Sequence, residues 1–529
     1  MLRSIISALI LIVAFSSPRF SLLVWVAFVP LFWEIEKRNP AMSAICAFLS
    51  GIVFNCISLF WLTSVTWIGY PFLCIYVSLY WAVFGYLWSF FNKRVSGGMD
   101  ILLGACLWTA LEYLRGNGPH GFPWLSLGTS LYTQLSFVHL SSMLGTAGTA
   151  FPIVFCNILL SKGLSWAFFA ENKKNSVMKI LKAIIVIIAI FLGVFCLYSF
   201  GSFRLKNVNE GILEKQDELR VCVVQGSIPQ EKKWDSYYFE DIVDTYEALI
   251  FSACEIERPD LFVLPETCLP DYLMENEELF ERVASWAIKT KSFILLGSPY
   301  EENTLYYNSA FLISPEGKVK NRYDKVQLVP YGEYVPFRKI VPFINRIVLS
   351  EADFSPGNDL IVFSIKNISF GALICFEDAF PSLLRLYRQK GVSFAVNMTN
   401  DAWFGPGPEP RQHLSQAVFA AAANGLEIAR ATNTGISCFL SSNGKVCETV
   451  KNHRGRELYV SGTLTSYAGS GKLKPTFYVL YGDVFSIFCL FLVIISLLYL
   501  WTLNYMRYKT EGREELSERV ILKMKGKDK

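Results

Sequence analysis

Histidine is scarce in this 529-residue sequence, and its cysteines follow no metal-binding or disulfide pattern. None of the 13 cysteines belongs to a CxxC pair or a Cys/His cluster. About half of them lie in apolar segments, where a thiol behaves as a small hydrophobic group. The histidines are too dispersed to resemble a set of metal ligands: they are His120, His139, His413 and His453. The sequence therefore predicts chemistry without a metal or another cofactor.

A strong excess of one charge is also missing. The chain has 49 Lys and Arg against 45 Asp and Glu, a formal net charge of +4, and no basic run is interleaved with aromatic residues. Nucleic-acid-binding surfaces require such a basic stripe. We therefore predict no nucleic-acid partner.

Apolar residues, in contrast, are abundant. They make up 52% of the chain, and the mean hydropathy is +0.35. This exceeds the usual share in soluble domains, whereas a chain made only of membrane spans would be more apolar still. The composition predicts a membrane part joined to a substantial water-soluble part.

Eight apolar runs predict a polytopic helical membrane bundle of about eight spans. The first two runs are short and flank Pro18, so a cleaved signal peptide is the alternative for this region. No small-residue cleavage site is obvious there, and the next apolar run begins almost at once, which favours spans. The runs cover about residues 4–16, 20–34, 41–63, 71–91, 101–118, 146–168, 180–199 and 484–504.

The distribution of Lys and Arg predicts the orientation of these spans, because basic residues accumulate on the cytoplasmic side. With eight spans, the basic loops all fall on one side together with both termini. The basic positions are Arg3, Lys37, Arg38, Lys93, Arg94, Lys173, Lys174, Lys179 and the tail from Arg507 to Lys529. In a bacterium this predicts a multi-pass protein of the inner membrane. Its parts would be seven spans in 1–200, a periplasmic domain at 202–482, an eighth span at 484–504 and a basic cytoplasmic tail at 505–529.

Between the seventh and eighth spans, short apolar strands alternate with amphipathic helices, which is typical of an α/β domain. The predicted strands are Leu219–Gln225, Asp260–Pro265, Phe293–Gly297, Ser309–Ser314, Phe370–Cys375 and Phe394–Met398. The predicted helices are Glu240–Glu257, Glu277–Lys291 and Gln412–Ala423.

Three residues of this domain stand where α/β proteins usually place their chemistry, at strand ends and in the loops that follow. Glu266 ends the strand in LFVLPET, and burial there would suit a general base. Cys375 closes the strand in FGALICFED, where a thiol at a strand-to-helix elbow can project into a pocket. Taken singly, a solvated strand-end acid and a buried structural cysteine are the more ordinary interpretations.

The third residue, Lys325, lies in the Pro- and Tyr-rich segment NRYDKVQLVPYGEYVPF. Most lysines are solvated surface charges. An ammonium held among aromatics and carboxylates could instead stabilise both a thiolate and a tetrahedral oxyanion, which is what cysteine-based acyl transfer without histidine needs.

Glu, Lys and Cys in this order, each within its own phrase, resemble the nitrilase superfamily, whose αββα sandwich uses that triad. Further phrases resemble its membrane-embedded branch, the apolipoprotein N-acyltransferase family. They are VQGSIPQEKKW at 224–234, YDKVQLVPYGEYVPF at 323–337, NMTNDAWFG at 397–405, RATNTGIS at 430–437 and the intramembrane GFPWLSLG at 121–128.

The resemblance implies a mechanism and two lipid substrates. Glu266 would be the general base, Lys325 the stabiliser of thiolate and oxyanion, and Cys375 the nucleophile that takes an acyl chain from a phospholipid as a thioester. The amino group of a diacylglyceryl-cysteine at a lipoprotein N-terminus would then attack. The alternatives are a membrane-tethered nitrilase-type amidase acting on a small soluble amide, and a non-catalytic lipoprotein-binding protein.

The same resemblance implies roles for five further residues. Glu333 and Glu377 match two acids that position Lys325 and the thiol, with solvated loop acids as the alternative. Trp234 and Trp403 match tryptophans near the family's active-site entrance, although either could belong to the core. Phe376 stands in this substrate-binding region where the family often has Tyr, so a hydroxyl is lost.

Two other departures and two membrane features bear on these expectations. Ala420 and Ala423 occupy helix positions where the family commonly has a charged Arg and Glu, which leaves the role of that helix open. The apolar segment Tyr334 to Val348 could enter the membrane interface as a gate or pack on the domain. Glu112 and Arg115 could orient a lipid headgroup or pair with each other.

Overall fold

The computed structural model of the protein combines apolar helices at both ends of the chain with a two-sheet sandwich between them. It describes residues 1–95, 97–117, 121–168, 176–210, 212–215, 218–330, 332–334, 353–469 and 471–525. All but the first residue of the predicted gate segment, Tyr334 to Val348, therefore lies outside the described residues.

The N-terminal part is helical wherever the sequence is continuously apolar. Its helices are α1 (Leu2–Ser16), α2 (Val29–Ile35), α3 (Pro40–Ser58), α4 (Gly69–Arg94), α5 (Met99–Gly116), α6 (Leu135–Val138), α7 (Ser141–Gly148), α8 (Ala150–Phe168) and α9 (Ser176–Glu210). Short 3₁₀ turns cover Pro18–Trp25, Phe60–Ser64 and Leu127–Leu131. The start of helix α3 is determined by local sequence. Asn39 caps the helix by accepting a hydrogen bond from Met42 N, and Pro40 occupies its first turn.

Five helical segments in the described part of the chain are long and apolar enough to cross a membrane. They are Pro18–Ile35, Pro40–Ser58, Gly69–Arg94, Ala183–Lys206 and Val484–Met506. Helices α7 and α8 meet at 69° and add a sixth if they form one broken span. The other two predicted spans are helical but fall short of this standard: α1 has only 15 residues, and α5 carries Asp100, Glu112 and Arg115. The predicted count of eight is thus not confirmed.

Glu112 and Arg115 lie inside the bundle, 6% and 5% exposed. Glu112 accepts from Trp108 Nε1 at 2.8 Å and from Leu127 N at 3.0 Å. Arg115 Nη2 lies 3.5 Å from Ser126 Oγ. Their recorded hydrogen bonds therefore fasten α5 to the 121–128 segment, and among the described residues they form no direct ion pair with each other.

The described residues of the α/β part form 14 strands. They are β1 (Ile212–Lys215), β2 (Leu219–Gln225), β3 (Leu261–Val263), β4 (Phe293–Glu302), β5 (Leu305–Ile313), β6 (Val319–Asp324), β7 (Val362–Ile365), β8 (Ile368–Ile374), β9 (Phe394–Thr399), β10 (Glu427–Thr432), β11 (Cys438–Leu440), β12 (Val446–Thr449), β13 (Gly462–Ala468) and β14 (Gly471–Leu473). Strands β1 and β14 pair as a separate ribbon.

The other strands form two six-stranded sheets, in the orders β13-β2-β3-β4-β5-β6 and β12-β11-β10-β9-β8-β7. At the centre of each sheet three strands run parallel, β2-β3-β4 and β8-β9-β10. These strands are buried on both faces, as expected for parallel strands that are covered on both sides. All six predicted strands are present.

Helices cover the outer face of each sheet, so the predicted αββα layering is confirmed. The remaining helices are α10 (Gln230–Lys233), α11 (Phe239–Glu257), α12 (Glu277–Thr290), α13 (Pro381–Gln389), α14 (Glu409–Asn424), α15 (Phe477–Tyr481) and α16 (Val484–Lys525). Side chains of α11 and α12 share a core with the first sheet, those of α13 and α14 share one with the second, and a third core fills the space between the sheets. Ala420 and Ala423 are fully buried in α14, where a charged side chain would need a partner.

Candidate active site

Three strand ends meet at one edge of the sandwich. Glu266 follows β3 of the first sheet, Lys325 follows β6 of the same sheet, and Cys375 follows β8 of the second sheet. All three side chains are buried or nearly so, with 7%, 1% and 8% exposure. The residues that the sequence predicts as a triad are therefore brought together from both layers.

Lys325 lies between two carboxylates. Its Nζ is 2.9 Å from Glu333 Oε1 and 3.5 Å from Glu266 Oε1. Asn308 Nδ2 donates to the same two oxygens, at 2.9 Å and 2.8 Å. Glu333 Oε2 accepts from Val329 N at 2.8 Å, which fixes the loop after Lys325. We call Glu266, Asn308, Lys325, Glu333 and Cys375 the reactive cluster.

The electrostatics of the reactive cluster set the charge of the lysine. Burial by itself would lower the pKa of Lys325, but Glu333 and Glu266 raise it above its ordinary value. The lysine therefore stays an ammonium at neutral pH. It supplies a fixed positive charge in a site where water is largely excluded.

Cys375 occupies a strained elbow between β8 and a 3₁₀ turn, Cys375–Ala379. Its φ is +53°, a left-handed conformation that costs a non-glycine residue ~1–2 kcal/mol. Burial, and then the carboxylate of Glu266, raise the pKa of the Cys375 thiol well above its ordinary value, against the opposing effect of Lys325. At neutral pH the side chain of Cys375 is therefore a thiol.

Glu266 is held in place on two sides. Its Oε2 accepts from the backbone N of Asn400 at 3.0 Å. Its backbone carbonyl accepts from Lys233 Nζ at 3.2 Å. Burial lowers the pKa of Lys233 to about 8, against the opposing effect of Glu266. Lys233 is thus a second buried amine beside Glu266.

Glu377 joins the elbow to the lysine loop. Its carboxylate accepts from the hydroxyl of Tyr323 at 2.9 Å, from the backbone N–H groups of Val326 and Gln327 at 2.8 and 3.0 Å, and from Ile374 N at 2.7 Å. Burial raises the pKa of Glu377 to about 7, while these donors lower it. Glu333 therefore contacts Lys325 directly, whereas Glu377 braces the backbone on both sides of the site.

Phe376 connects the elbow to the membrane bundle. It stacks at 5.8 Å on Trp124 and at 6.3 Å on Phe122, both from the 121–128 segment. Beside it, Gln412 Oε1 accepts from the indole N–H groups of Trp124 and Trp61, at 2.8 and 3.0 Å. The residue after Cys375 therefore packs on the bundle itself.

Trp234 and Trp403 are half exposed, at 50% and 47%, so neither is a core residue. Trp234 directly follows Lys233, and Trp403 lies in the 3₁₀ turn Asp401–Phe404 that follows Asn400. Both tryptophans therefore lie close in sequence to residues that hold Glu266. The alternative that they belong to the core is wrong.

A second group of charged residues lies beneath the elbow, and we call it the supporting cluster. Its members are fully buried: Asp378, Asp401, Glu409, His413 and Arg430. His413 contacts Asp378 and Asp401 at 3.0 and 2.9 Å, and Arg430 forms an ion pair with Asp378. Burial and Asp401 raise the pKa of Glu409 to about 8. At neutral pH, two carboxylates thus face two cations.

Part of this cluster has the composition of a metal site. One ligand atom each from Asp401, Glu409 and His413 lies within 4.8 Å of the others. However, Arg430 Nη2 stands 3.7 Å from Asp401 Oδ2, and the imidazole already faces the same carboxylates. Because two cationic side chains balance the acids, we interpret the group as a hydrogen-bonded charge network.

Four contributors were not predicted from the sequence. Asn308 and Asn400 orient Glu266, Lys233 approaches its carbonyl, and His413 reaches the elbow. An asparagine inside an otherwise apolar strand, as in LYYNSAFLI, was the available signal for Asn308, because a buried amide requires partners. No comparable signal identifies His413, since its acidic partners are distant in sequence.

Comparisons with known proteins extend this description. The family model for the apolipoprotein N-acyltransferase N-terminal domain matches residues 7–159, and that for carbon-nitrogen hydrolase matches residues 220–468. An amidase from Nesterenkonia sp. is a similar solved structure, with 17% identity and a TM-score of 0.35, covering 51% of this chain and 95% of that chain.

Curated relatives match over nearly the whole chain. The apolipoprotein N-acyltransferase of Geobacter metallireducens is 35% identical over 508 residues, which cover 92% of each chain. That of Haemophilus influenzae is 30% identical over 469 residues, covering 84% of this chain and 85% of its own. The chain therefore belongs to the apolipoprotein N-acyltransferase family.

Proposed function

We propose that this protein transfers a fatty acyl chain from a phospholipid to the N-terminal amino group of a lipoprotein's diacylglyceryl-cysteine, through a thioester on Cys375. The observation that carries the proposal is the convergence of Glu266, Lys325 and Cys375 at one buried edge of the sandwich. The names of the relatives support N-acylation of lipoproteins as the overall reaction.

In the first half-reaction, Glu266 takes the proton of the Cys375 thiol as the sulfur attacks the ester carbonyl carbon of the phospholipid. The carbonyl π electrons move to oxygen, and the Lys325 ammonium stabilises this oxyanion. When the intermediate collapses, the carbon–oxygen bond breaks and Glu266 returns the proton to the leaving alkoxide. The products are a lysophospholipid and the Cys375 thioester.

In the second half-reaction, the amino group of the lipoprotein attacks the thioester carbon and gives its proton to Glu266. The carbon–sulfur bond breaks, the thiolate leaves, and the proton passes to sulfur. An amide is formed and the enzyme is restored. Because the first product leaves before the second substrate enters, we propose ping-pong kinetics.

The raised pKa of Cys375 and the fixed charge of Lys325 support this division of labour. A thiol that is neutral at rest needs a base to remove its proton. An ammonium that stays charged can stabilise an oxyanion without a proton transfer. Asn308 and Glu333 would keep Lys325 and Glu266 oriented. Glu377 would keep the elbow and the lysine loop at a constant distance.

Both proposed substrates are anchored in a membrane, and the protein's helices would place the site at its surface. We propose eight spans, with α1 and α5 completed by their packing in the bundle. The proposed orientation has both termini in the cytoplasm and the 202–482 domain on the periplasmic side of the bacterial inner membrane. The half-exposed Trp234 and Trp403 would line the lipid entrance, and Phe376 would form its inner wall.

The experiment is mass spectrometry of the purified protein after incubation with phospholipid. Wild type should carry one acyl group on Cys375, which diacylated peptide should remove as N-acylated product. Cys375→Ala should lose both signals. Cys438→Ala is the matched control, because Cys438 is another buried cysteine of the same sandwich and this variant should keep both signals.

Two results would contradict the proposal. N-acylation that persists in Cys375→Ala would remove the assigned nucleophile. Wild type that forms no adduct with phospholipid but releases ammonia from simple amides would favour the membrane-tethered amidase instead.

A further inference from the structure

The supporting cluster has no part in the proposed reaction, yet one of its members reaches the nucleophile's backbone. His413 Nε2 lies 3.3 Å from the carbonyl oxygen of Cys375 and 3.0 Å from Asp378 Oδ1. His413 belongs to α14, on which the neighbouring Gln412 contacts the bundle. The nucleophile is therefore tied to α14 through its main chain.

The contacts of the His413 ring require a proton on each nitrogen. Nδ1 faces Asp401 Oδ1 at 2.9 Å, while Nε2 faces a carboxylate and a carbonyl. A neutral imidazole would place a lone pair against one of these acceptors. Burial would lower the pKa of His413, but Asp378 and then Asp401 raise it well above its ordinary value. The ring is an imidazolium with both N–H groups occupied.

Cys375 needs such an anchor, because its left-handed φ of +53° is unfavourable for a residue with a side chain. Its carbonyl accepts from Asn397 Nδ2 at 3.2 Å as well as from His413. Asn397 is itself held by Arg430 Nη1 at 2.6 Å. Two donors fixed by the supporting cluster thus converge on one oxygen.

We propose that His413 is a positioning residue, whose Nε2–H holds the Cys375 carbonyl and so fixes the elbow that presents the thiol to the acyl carbonyl. This inference rests on the proposed function of Cys375. Because both ring nitrogens are occupied by protein acceptors, His413 acts through the backbone and touches neither substrate.

Two amide substitutions distinguish the hydrogen bond of His413 Nε2 from that of Nδ1. In His413→Gln, the longer side chain can place an N–H near the Nε2 position and keep the bond to the Cys375 carbonyl. In His413→Asn, the amide reaches only the Nδ1 position, so that bond is lost. The full-length protein is incubated with phospholipid, and the rate of adduct formation on Cys375 and the kcat and KM for acyl transfer are measured.

We expect His413→Asn to lower the adduct rate and kcat about tenfold or more, with little change in KM, because a hydrogen bond from a charged donor is lost. His413→Gln should recover most of that loss. Asn424→Ala is the control, since it removes a buried, hydrogen-bonded amide from the other end of α14 and should leave kcat unchanged below its unfolding temperature.

Wild-type adduct rates in a folded His413→Asn protein, or equal losses in both amide variants, would overturn the inference and leave the proposed function intact. If His413→Asn does not fold, His413→Gln alone is compared with wild type, and a loss of about tenfold or more in a folded His413→Gln protein, which keeps the bond to the Cys375 carbonyl, would overturn the inference. A wild type without any Cys375 adduct would overturn the proposed function and this role together.

Discussion

The reactive cluster surrounds the side chain of Cys375, whereas the supporting cluster contacts its backbone carbonyl. The two clusters use similar charged groups but differ in their balance of charge. In the reactive cluster one lysine is shared by two carboxylates, so negative charge is in excess and Cys375 remains a thiol. In the supporting cluster two cations face two aspartates, and Glu409 keeps a proton near neutral pH. The comparison teaches that unbalanced charge suits a site that must transfer protons, whereas balanced charge suits a site that must hold a backbone segment in place.

The largest expected effect comes from removing the only cation of the reactive cluster. Lys325→Met should reduce acyl transfer by about 10²–10³-fold or more, because the oxyanion loses its stabiliser. It also leaves the carboxylates of Glu266 and Glu333 side by side without the cation that they share. The adduct rate and the unfolding temperature are measured together.

Lys366→Met is the control for that experiment, since this largely exposed lysine also pairs with an aspartate. It should keep full activity. A Lys325→Met protein that forms the thioester at the wild-type rate would contradict the prediction that the cation of the reactive cluster acts in the reaction.

In the supporting cluster, loss of a cation should affect stability first. Arg430→Met removes one of the two cations that face the buried carboxylate of Asp378 and leaves that charge only partly compensated, which costs about 3–5 kcal/mol of the free energy of unfolding. Thermal unfolding in detergent measures this. Arg322→Met, which breaks a partly exposed ion-pair network, should cost about 1 kcal/mol or less, and an equal loss in both would contradict the prediction.

The proton on Glu409 predicts a pH dependence of stability. Its pKa is raised by folding from an ordinary value near 4.5 to about 8, so the folded protein keeps a proton that the unfolded chain releases. The stabilising contribution is complete below pH 4.5, falls as pH rises and is lost above about pH 8, amounting to a few kcal/mol.

Glu409→Gln should flatten this slope of unfolding temperature between pH 5 and 8. The exposed acid Glu448 offers the matched control, because Glu448→Gln should leave the wild-type slope in place. A slope that is unchanged in Glu409→Gln would show that the supporting cluster is not balanced by this proton.

The smallest effect concerns the resting thiol. Because burial and Glu266 raise the pKa of Cys375, iodoacetamide at pH 7 should alkylate it at least about tenfold more slowly than the exposed Cys447. The rate at Cys375 should rise with pH beyond pH 9. Rapid alkylation of Cys375 at neutral pH, measured by peptide mass spectrometry, would mean that the reactive cluster holds a thiolate.

The sequence predicted the centre of the fold better than its margins. Apolar runs such as Leu219–Gln225 are buried strands, and the structure has this one with the same bounds. Strand β6, in contrast, reads VKNRYD and is partly exposed at the edge of its sheet, so it lacks an apolar pattern. Strands β11 and β12 are too short to stand out.

The site was predicted in the same uneven way. Glu266, Lys325 and Cys375 could be predicted from the sequence because each belongs to a motif that resembles the family. Glu333 and Glu377 were predicted from the same motifs. The charge network around His413 could not be predicted, because Asp378, Asp401 and Arg430 come from three different loops and strands that only the folded sandwich assembles. A network that depends on tertiary packing has no local signal in the chain.

Gln412 makes the two halves of the protein depend on each other. Its amide accepts from the indoles of Trp61 and Trp124 and donates to the carbonyl of Ser58, so a residue of the sandwich completes the hydrogen bonding of the bundle. A sandwich produced without the membrane helices would expose the Gln412 amide and the Phe376 ring to water. These residues are the direct sequence neighbours of His413 and Cys375. We expect such a fragment to aggregate and to lose its reactivity even toward small soluble esters. The helical bundle is thus part of the scaffold of the site, and under the proposed function the membrane that surrounds it is also the source of the substrates.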